Sequence, residues 1–452
     1  MTDCNQDRFE FAPHFTREVV GEFNGGSITS DGGSVLLREA NRRVHLLSRF
    51  SQCFLDGRDP SRVEHTVEEM VSQRIYGLAL GYEDLNDHEQ LRNDPLMRVL
   101  AGKREPGEDA LAGKSTLNRM ELGGGQPDRY KKITFWRDGI EELLVDLFVE
   151  AYNAPPKEIV LDIDATDLAL HGEQEGRFYH GFYGQYCYLP LYIFCGEHVL
   201  CARLRPSNID PSAGSVKILS QIVEQIRKAW PEVKITVRGD SGFCRDGLMS
   251  WCEDNQVRYV LGLARNTVLE RNVASALEQV SKSFEQTGKA ARVYKEFEHE
   301  TVSGTWTRKR RVIAKAEHIS DKSNPRFVVT SLDTAEWPSQ SLYEDLYCAR
   351  GDMENRIKEQ FTLFADRVSA GTMRANQLRL YFSVMSYTLM SAVRRLGLRG
   401  TELAQAQADT IRLKVLKIGA QIRVTVRKVW IEFSSSYPYQ ALFGQVFNQL
   451  RC

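Results

Sequence analysis

Between residues 158 and 266 the periodicity of the sequence changes in an order that admits few folds. KEIVLDIDATD, CYLPLYIFCG and HVLCARLRP are β-branched and aromatic runs of strand length, the last two at hairpin-like separation. SAGSVKILSQIVEQIRKAW switches to helical spacing and stops at Pro231. KITVRGDSGF is a further strand, GLMSWCEDNQ a helix and RYVLGLARN a strand. Three strands, a helix, a strand, a helix and a strand make an α/β core. Its last two strands run parallel to the first, because each returns through a helical crossover.

The flanks have other rhythms. Residues 1–154 are mostly helical in pattern, with amphipathic runs such as SVLLREANRRVHLLSRF and HTVEEMVSQRIYGLALG. Ala154-Pro155-Pro156 closes the last of these helices, since the residue before a proline is driven out of helical geometry. The core starts at 155, and residues 267–332 carry alternating segments (ARVYKEFEHETV, TWTRKRRVIAKAEH, RFVVTSL) that predict a β-rich insertion. Residues 333–396 return to the core with the helix YCARGDMENRIKEQF, and 397–452 hold a basic β-hairpin, TIRLKVLKIGAQIRVTVRKVWIEFS, and a helix. At 452 residues the chain exceeds one ordinary hydrophobic core.

Composition excludes some classes. No window is long and apolar enough to cross a bilayer, so no membrane partner is expected. MTDCNQDRFEFAPHF has neither a basic leader nor an apolar h-region, which predicts a cytoplasmic protein. Nine scattered cysteines without a CxxC pair fit reduced thiols rather than a disulfide frame or a zinc site. The net charge of -1 leaves no overall basic footprint for nucleic acid. Yet residues 1–150 hold 27 acids against 19 bases, so the remainder has 33 against 40 and room for a local basic surface.

In IVLDIDATD, alternation puts Ile159, Leu161 and Ile163 on one face and Val160, Asp162 and Asp164 on the other. Asp164 stands at the strand's end, and Asp240 just past the end of a later strand, where α/β sheets place their sites. Two such carboxylates repel by on the order of several kcal/mol unless a cation lies between them. Mg2+, which prefers hard oxygen ligands, answers that, and a pair of such ions serves phosphodiester chemistry. In YCARGDMENRIKEQF, Tyr347, Arg350, Glu354 and Lys358 fall at steps of three, four and four, along one helix face. Glu354 then supplies a third ligand, Arg350 and Lys358 meet DNA phosphates, and Tyr347 hydrogen-bonds or stacks near the strand end. Gly351 either admits a close partner or is merely tolerated at a cost of about 1 kcal/mol.

Asp164-Ala165-Thr166, Gly239-Asp240 and Tyr347-x2-Arg350-x3-Glu354, in this order, resemble the DDE transposases of bacterial insertion sequences. The chain is similar in particular to the insertion-sequence-1380 family, in the group typified by insertion sequence 4. HGEQEGRFYHGFYGQYCYLPL and YCARGDMENRIKE are the most specific stretches, and the likeness covers residues 158–365 best. It implies an α/β fold with a ribonuclease-H-like mixed sheet core, a β insertion and a mostly helical N-terminal region that recognises terminal inverted repeats. It also implies a bacterial enzyme, cytoplasmic and nucleoid-associated when bound, that cleaves transposon ends and transfers strands into target DNA. Asp164, Asp240 and Glu354 would be the catalytic ligands of two Mg2+ ions, with Mn2+ able to substitute, in a homodimer on double-stranded DNA. Some relatives flip a base onto an insertion-domain tryptophan, a role that falls on Trp306. The related motif reaches a lysine after six intervening residues, but that position is Phe361 here and the available cation is Lys358.

Plainer readings stand beside these. A strand-end aspartate is commonly a turn residue, and a Tyr/Arg/Glu/Lys face is commonly a salt-bridged surface. Asp162 shares the face of Asp164 and remains an alternative ligand. TWTRKRR offers Trp306, Arg308, Lys309, Arg310 and Arg311 to DNA, or decorates a strand edge against aggregation. A catalytically inactive transposon-derived DNA-binding protein and a ribonuclease-H-like nuclease without integration activity are the rival functions.

Overall fold

A computed structural model describes residues 8–105, 109–301, 304–319 and 322–451, so Cys4 and Cys452 lie outside the described residues. The chain forms two units, Phe135–Val384 and Met1–Thr134 with Met385–Cys452.

The first unit is built on one mixed sheet. Its strands are β1 (Glu158–Ala165), β2 (Leu191–Cys195), β3 (His198–Arg203), β4 (Lys234–Gly239), β5 (Arg258–Leu263), β6 (Ala291–His299), β7 (Arg310–Ile319) and β8 (Arg326–Thr330). Their spatial order is β3-β2-β1-β4-β5-β8-β7-β6, with Lys322–Ser323 pairing on β7. β4 is parallel to both β1 and β5, while β2 is antiparallel to β1 and to β3. The mixed α/β architecture expected from the sequence is present. The strands of the 267–332 segment extend this same sheet, because β8 pairs antiparallel with the edge of β5, Leu261 opposite Val329. CYLPLYIFCG is two strands, Gln185–Tyr188 and β2, separated at Leu189-Pro190, where proline lacks the N–H a ladder needs. Gln185–Tyr188 is the centre of a small three-stranded sheet with Leu168–Ala169 and Phe178–His180.

Helices α1 (Arg137–Glu150), α2 (Ser215–Ala229) and α3 (Asp246–Asp254) contribute to one face of the sheet. Ile218, Leu219, Ile222, Val223 and Ile226 of α2 recur at helical spacing and pack with Ile159, Leu161 and Ile163 of β1. Each such buried side chain contributes about 1.5–3 kcal/mol. The other face of β1 behaves differently: Val160 packs against a cluster holding Leu342, Tyr343 and Leu346. Those residues belong to a helical stretch that is not uniform. It is π-helical over Leu342–Tyr347 and 3₁₀ over Cys348–Arg350 before becoming α5 (Gly351–Phe361), with α4 (Ala274–Thr287) preceding it in the chain. The apolar run near residue 380 forms the helix Met373–Gly397.

The second unit holds short helices around Val67–Leu80, which Thr66 and Glu69 start with a reciprocal capping box and Gly81 ends at φ 97°. Buried Arg74 bonds Glu121 (2.6 Å) and His88 (3.0 Å) there. The sequence suggested one long C-terminal hairpin. Residues 408–416 are helical instead, and the hairpin is Ala420–Val424 with Val429–Phe433.

Candidate active site

β1 and β4 lie side by side with Ile163 opposite Gly239, so Asp164 and Asp240 leave neighbouring strand ends at one level. Adjacent strands are about 4.8 Å apart, which makes the two carboxylates lateral neighbours. Asp240 accepts a hydrogen bond from Gly242 N (2.8 Å) and caps the turn Ser241–Phe243. Asp164 accepts one from Ala165 N (2.9 Å).

The helix face expected to meet these aspartates does so through Arg350. Its guanidinium donates to Asp164 Oδ2 (3.3 Å) and to Glu354 Oε1 (2.8 Å), so the cation lies between two of the three acids. Even so, burial pushes the Asp164 carboxyl up to about 6; Arg350 pulls it down, and the charges of Asp240 and Glu354 push it up again. Tyr183 lies in the same field: burial, then Asp167, Asp164 and Asp240, raise its hydroxyl to about 12. Tyr347 is partly buried, and a Cβ added at Gly262 of β5 would sit 2.6 Å from its hydroxyl and 2.9 Å from Ser241 N. Only glycine at 262 permits that approach. Among the described residues no three His, Cys, Asp or Glu side chains are gathered closely enough to hold an ion as they stand.

Asp162, the alternative to Asp164, is otherwise engaged. Arg238 of β4 grips it with two bonds, Nε to Oδ1 (2.5 Å) and Nη2 to Oδ2 (2.7 Å), and donates from Nη1 to the Leu346 carbonyl (2.5 Å). Both side chains are buried, and burial raises the Asp162 carboxyl against the pull of Arg238. The pair thereby fastens the π-helical segment, and the Arg350–Glu354 turn after it, to the strands bearing Asp164 and Asp240. Arg238 escaped sequence reasoning, although a cation closing the apolar run KITV was a signal for it.

The insertion residues differ in exposure and pairing. Arg310, with a side chain 2% exposed, is ion-paired to Asp246 and Glu253 of α3, both at 2.7 Å, so it is an interior residue rather than a DNA contact. Arg311 bonds Glu296 (2.7 Å) and the carbonyls of Leu332 and Trp337, and Arg308 pairs with Glu253 (3.2 Å). Trp306 packs against the core under the Arg310 guanidinium, 5.5 Å from its ring. Lys309 is exposed, 3.9 Å from Glu300. Lys358 is exposed without an ion-pair partner among the described residues, and Phe361 is half-buried. Gly351 has open space where a Cβ would stand, so no residue of the chain itself requires glycine there.

A mixed sheet with aspartates at parallel strand ends and a glutamate-bearing helix across them defines an acidic-site α/β protein. The family model for the transposase DDE domain group 1 matches residues 11–452, and the chain belongs to that family. Among solved structures it is similar to the piggyBac transposase synaptic complex with hairpin DNA, at 11% identity over 86% of this chain and 80% of that one. The TM-score of 0.38 is too low to establish a shared fold. No curated protein matches the chain.

Proposed function

We propose that the protein cuts DNA at the ends of a mobile element and joins the freed 3′ ends to target DNA, with Asp164, Asp240 and Glu354 as its catalytic acids. The observation that carries this is the register of β1 and β4, which brings Asp164 and Asp240 together beneath the helix of Glu354, in a chain whose family is named for two aspartates and a glutamate. The order β3-β2-β1-β4-β5, with β2 antiparallel and β4 and β5 parallel to the middle, supports a ribonuclease-H-like core.

The donor set fits Mg2+. Three carboxylates offer hard oxygens, and the Asp164 carboxyl is raised chiefly by burial, with Asp240 and Glu354 adding to it against the pull of Arg350, so its charged form would gain from a bound cation. Asp164, Asp240 and Glu354 would hold two such ions, Mn2+ substituting, and the bound metal supplies an activated water and charge stabilisation at the leaving 3′ oxygen. Arg350 keeps Asp164 and Glu354 facing one another and has further N–H donors for a phosphate. Lys358, two turns along the helix, adds an unpaired cation. Tyr347, held over Gly262, fixes the start of that face against β5. Pairing two ends calls for two copies of the chain.

The test is incubation with the element's own end duplex in Mg2+. Expected are cuts at the end and joined products from paired ends, with cutting lost but DNA binding kept in Asp164→Ala, Asp240→Ala and Glu354→Ala. Cutting by any of the three variants, or none by the parent protein, overturns the proposal. Cuts without joined products would leave a nuclease.

A further inference from the structure

A β-hairpin, Arg8–His14 antiparallel to Arg17–Glu22, opens the second unit, and among the described residues its strands pair only with each other. Phe9 stands opposite Gly21 and Phe11 opposite Val19, so these four share one face. Phe23 meets Phe9 edge to face at 5.6 Å. Phe9, Phe11, Val19 and Phe23 are all exposed, Phe23 at 94%. The opposite face is charged, with Arg8 and Glu22 paired across the strands (3.5 Å) and Glu10 and Glu18 in solvent. A lone two-stranded hairpin is marginally stable in water, and one with a bare aromatic face lacks the third strand or packing surface that would hold it.

The same unit holds a sheet with an open edge. Its order is Val429–Phe433, Ala420–Val424, Ile28–Thr29, so Val429–Phe433 is an edge strand. Ile422 N donates to Ser27 O (2.8 Å), on the side away from that strand. Antiparallel alternation therefore turns the N–H and C=O groups of its partner Ile431, and of Val429 and Phe433, toward the open edge. Val429, Trp430 and Phe433 are exposed there, and an apolar edge of this kind is a template for another strand. Charge favours the hairpin as that strand. Residues 8–22 hold three glutamates against two arginines, whereas residues 420–433 hold Arg423, Arg427 and Lys428 against Glu432 alone.

We propose that the hairpin of one copy of this chain adds to the Val429–Phe433 edge of a second copy, and that the exchange is reciprocal, closing a symmetric dimer in the absence of DNA. The same copy's edge is a poor fit for its own hairpin. A strand added there lies three strand spacings, about 14 Å, from Ser27. The five steps from Ser27 back to Glu22 cover about 18 Å at most, and only if straight. Gly26 instead turns at φ 74°, and Gln421 holds the Gly25 carbonyl (3.1 Å). On a second copy no such tether applies. The Phe9, Phe11 and Val19 face would there continue the face of Ile431, which packs beside buried Leu96, Ala420 and Ile422. The proposal does not rest on the catalytic reading.

The experiment is analytical sedimentation of the full chain, without DNA or metal, over a range of concentrations. The parent protein should form a dimer. Phe9→Thr with Phe11→Thr should raise the dimer dissociation constant at least about tenfold, with the far-UV circular dichroism unchanged because both rings are exposed. Val429→Pro should do the same, since proline at an outward-facing edge position removes no bond of the hairpin 420–433 yet blocks strand addition. Mixing the two variants should give a heterodimer, because one copy keeps its edge and the other its aromatic hairpin. A parent protein that stays monomeric, or a dimer that survives in the Phe9 and Phe11 variant, overturns the proposal. So does a dimer lost in that variant but kept in Val429→Pro, which would mean that two hairpins pair with each other, and so does a mixture that stays monomeric. No DNA cutting enters the readout, so failure here leaves the catalytic reading standing, and failure of that reading leaves the dimer standing.

Discussion

Replacing Asp164 with asparagine should make the protein more stable while removing its activity. The Asp164 carboxyl is raised from 3.8 to about 6, chiefly by burial, and its side chain is 14% exposed, so solvent screens it little. Two units at about 1.36 kcal/mol each amount to about 3 kcal/mol. The sign follows from linkage. Between pH 3.8 and 6 the folded state binds the proton more tightly than the unfolded chain, so stability falls as pH rises through that window and stays lowered above it. Asparagine carries no charge and escapes the penalty. Urea unfolding of Asp164→Asn against the parent protein, with EDTA present, should show a gain of about 3 kcal/mol at pH 8 and about 1 kcal/mol at pH 4.5. Saturating Mg2+ should let the parent protein recover much of the difference, since a bound cation favours the charged form. A loss of stability at pH 8, or a gain independent of pH, refutes the reasoning.

Other positions separate fastening from chemistry. Arg238→Met strands the buried Asp162 carboxylate and should cost about 3–5 kcal/mol in urea unfolding, while adding Asp162→Asn should recover part of that loss. Arg310→Leu should destabilise by a similar amount, about 3–5 kcal/mol, yet leave the salt slope of DNA binding unaltered, because Arg310 is paired to Asp246 and Glu253. Gly351→Ala should leave end cutting unchanged and stabilise by up to about 1 kcal/mol, since φ is -55° and nothing lies within 4 Å of the new Cβ. Gly262→Ala should slow cutting, measured as product per unit time, by displacing Tyr347.

Period-two alternation was enough to separate the two faces of β1, because each face packs against its own cluster: Ile159, Leu161 and Ile163 in one, Val160 on the other. It also placed Asp164 and Asp240 at strand ends, and the step pattern put Arg350 and Glu354 on one face, where they bond. What stayed hidden depends on partners far along the chain. The pairing of β8 with β5 joins the strands of the 267–332 segment to the main sheet, and no local signal specifies that edge. Arg310 looks like a free cation in TWTRKRR because its partners lie 64 and 57 residues away. The grip of Arg238 on Asp162, 76 residues apart, is likewise non-local, and it ties the Asp162 carboxylate into the sheet. The π-helical turn before Arg350 follows from packing on β1 and β5 rather than from propensity.

The central claim, that Asp164, Asp240 and Glu354 together hold the metal that cuts DNA, is tested most directly by exchanging each for cysteine and assaying end cutting in Mg2+ and in Mn2+. A thiolate is a poor ligand for hard Mg2+ and a better one for Mn2+. The account predicts three variants silent in Mg2+ that regain cutting in Mn2+. Full cutting in Mg2+ by any of them, or silence in both ions with DNA binding intact, would contradict it.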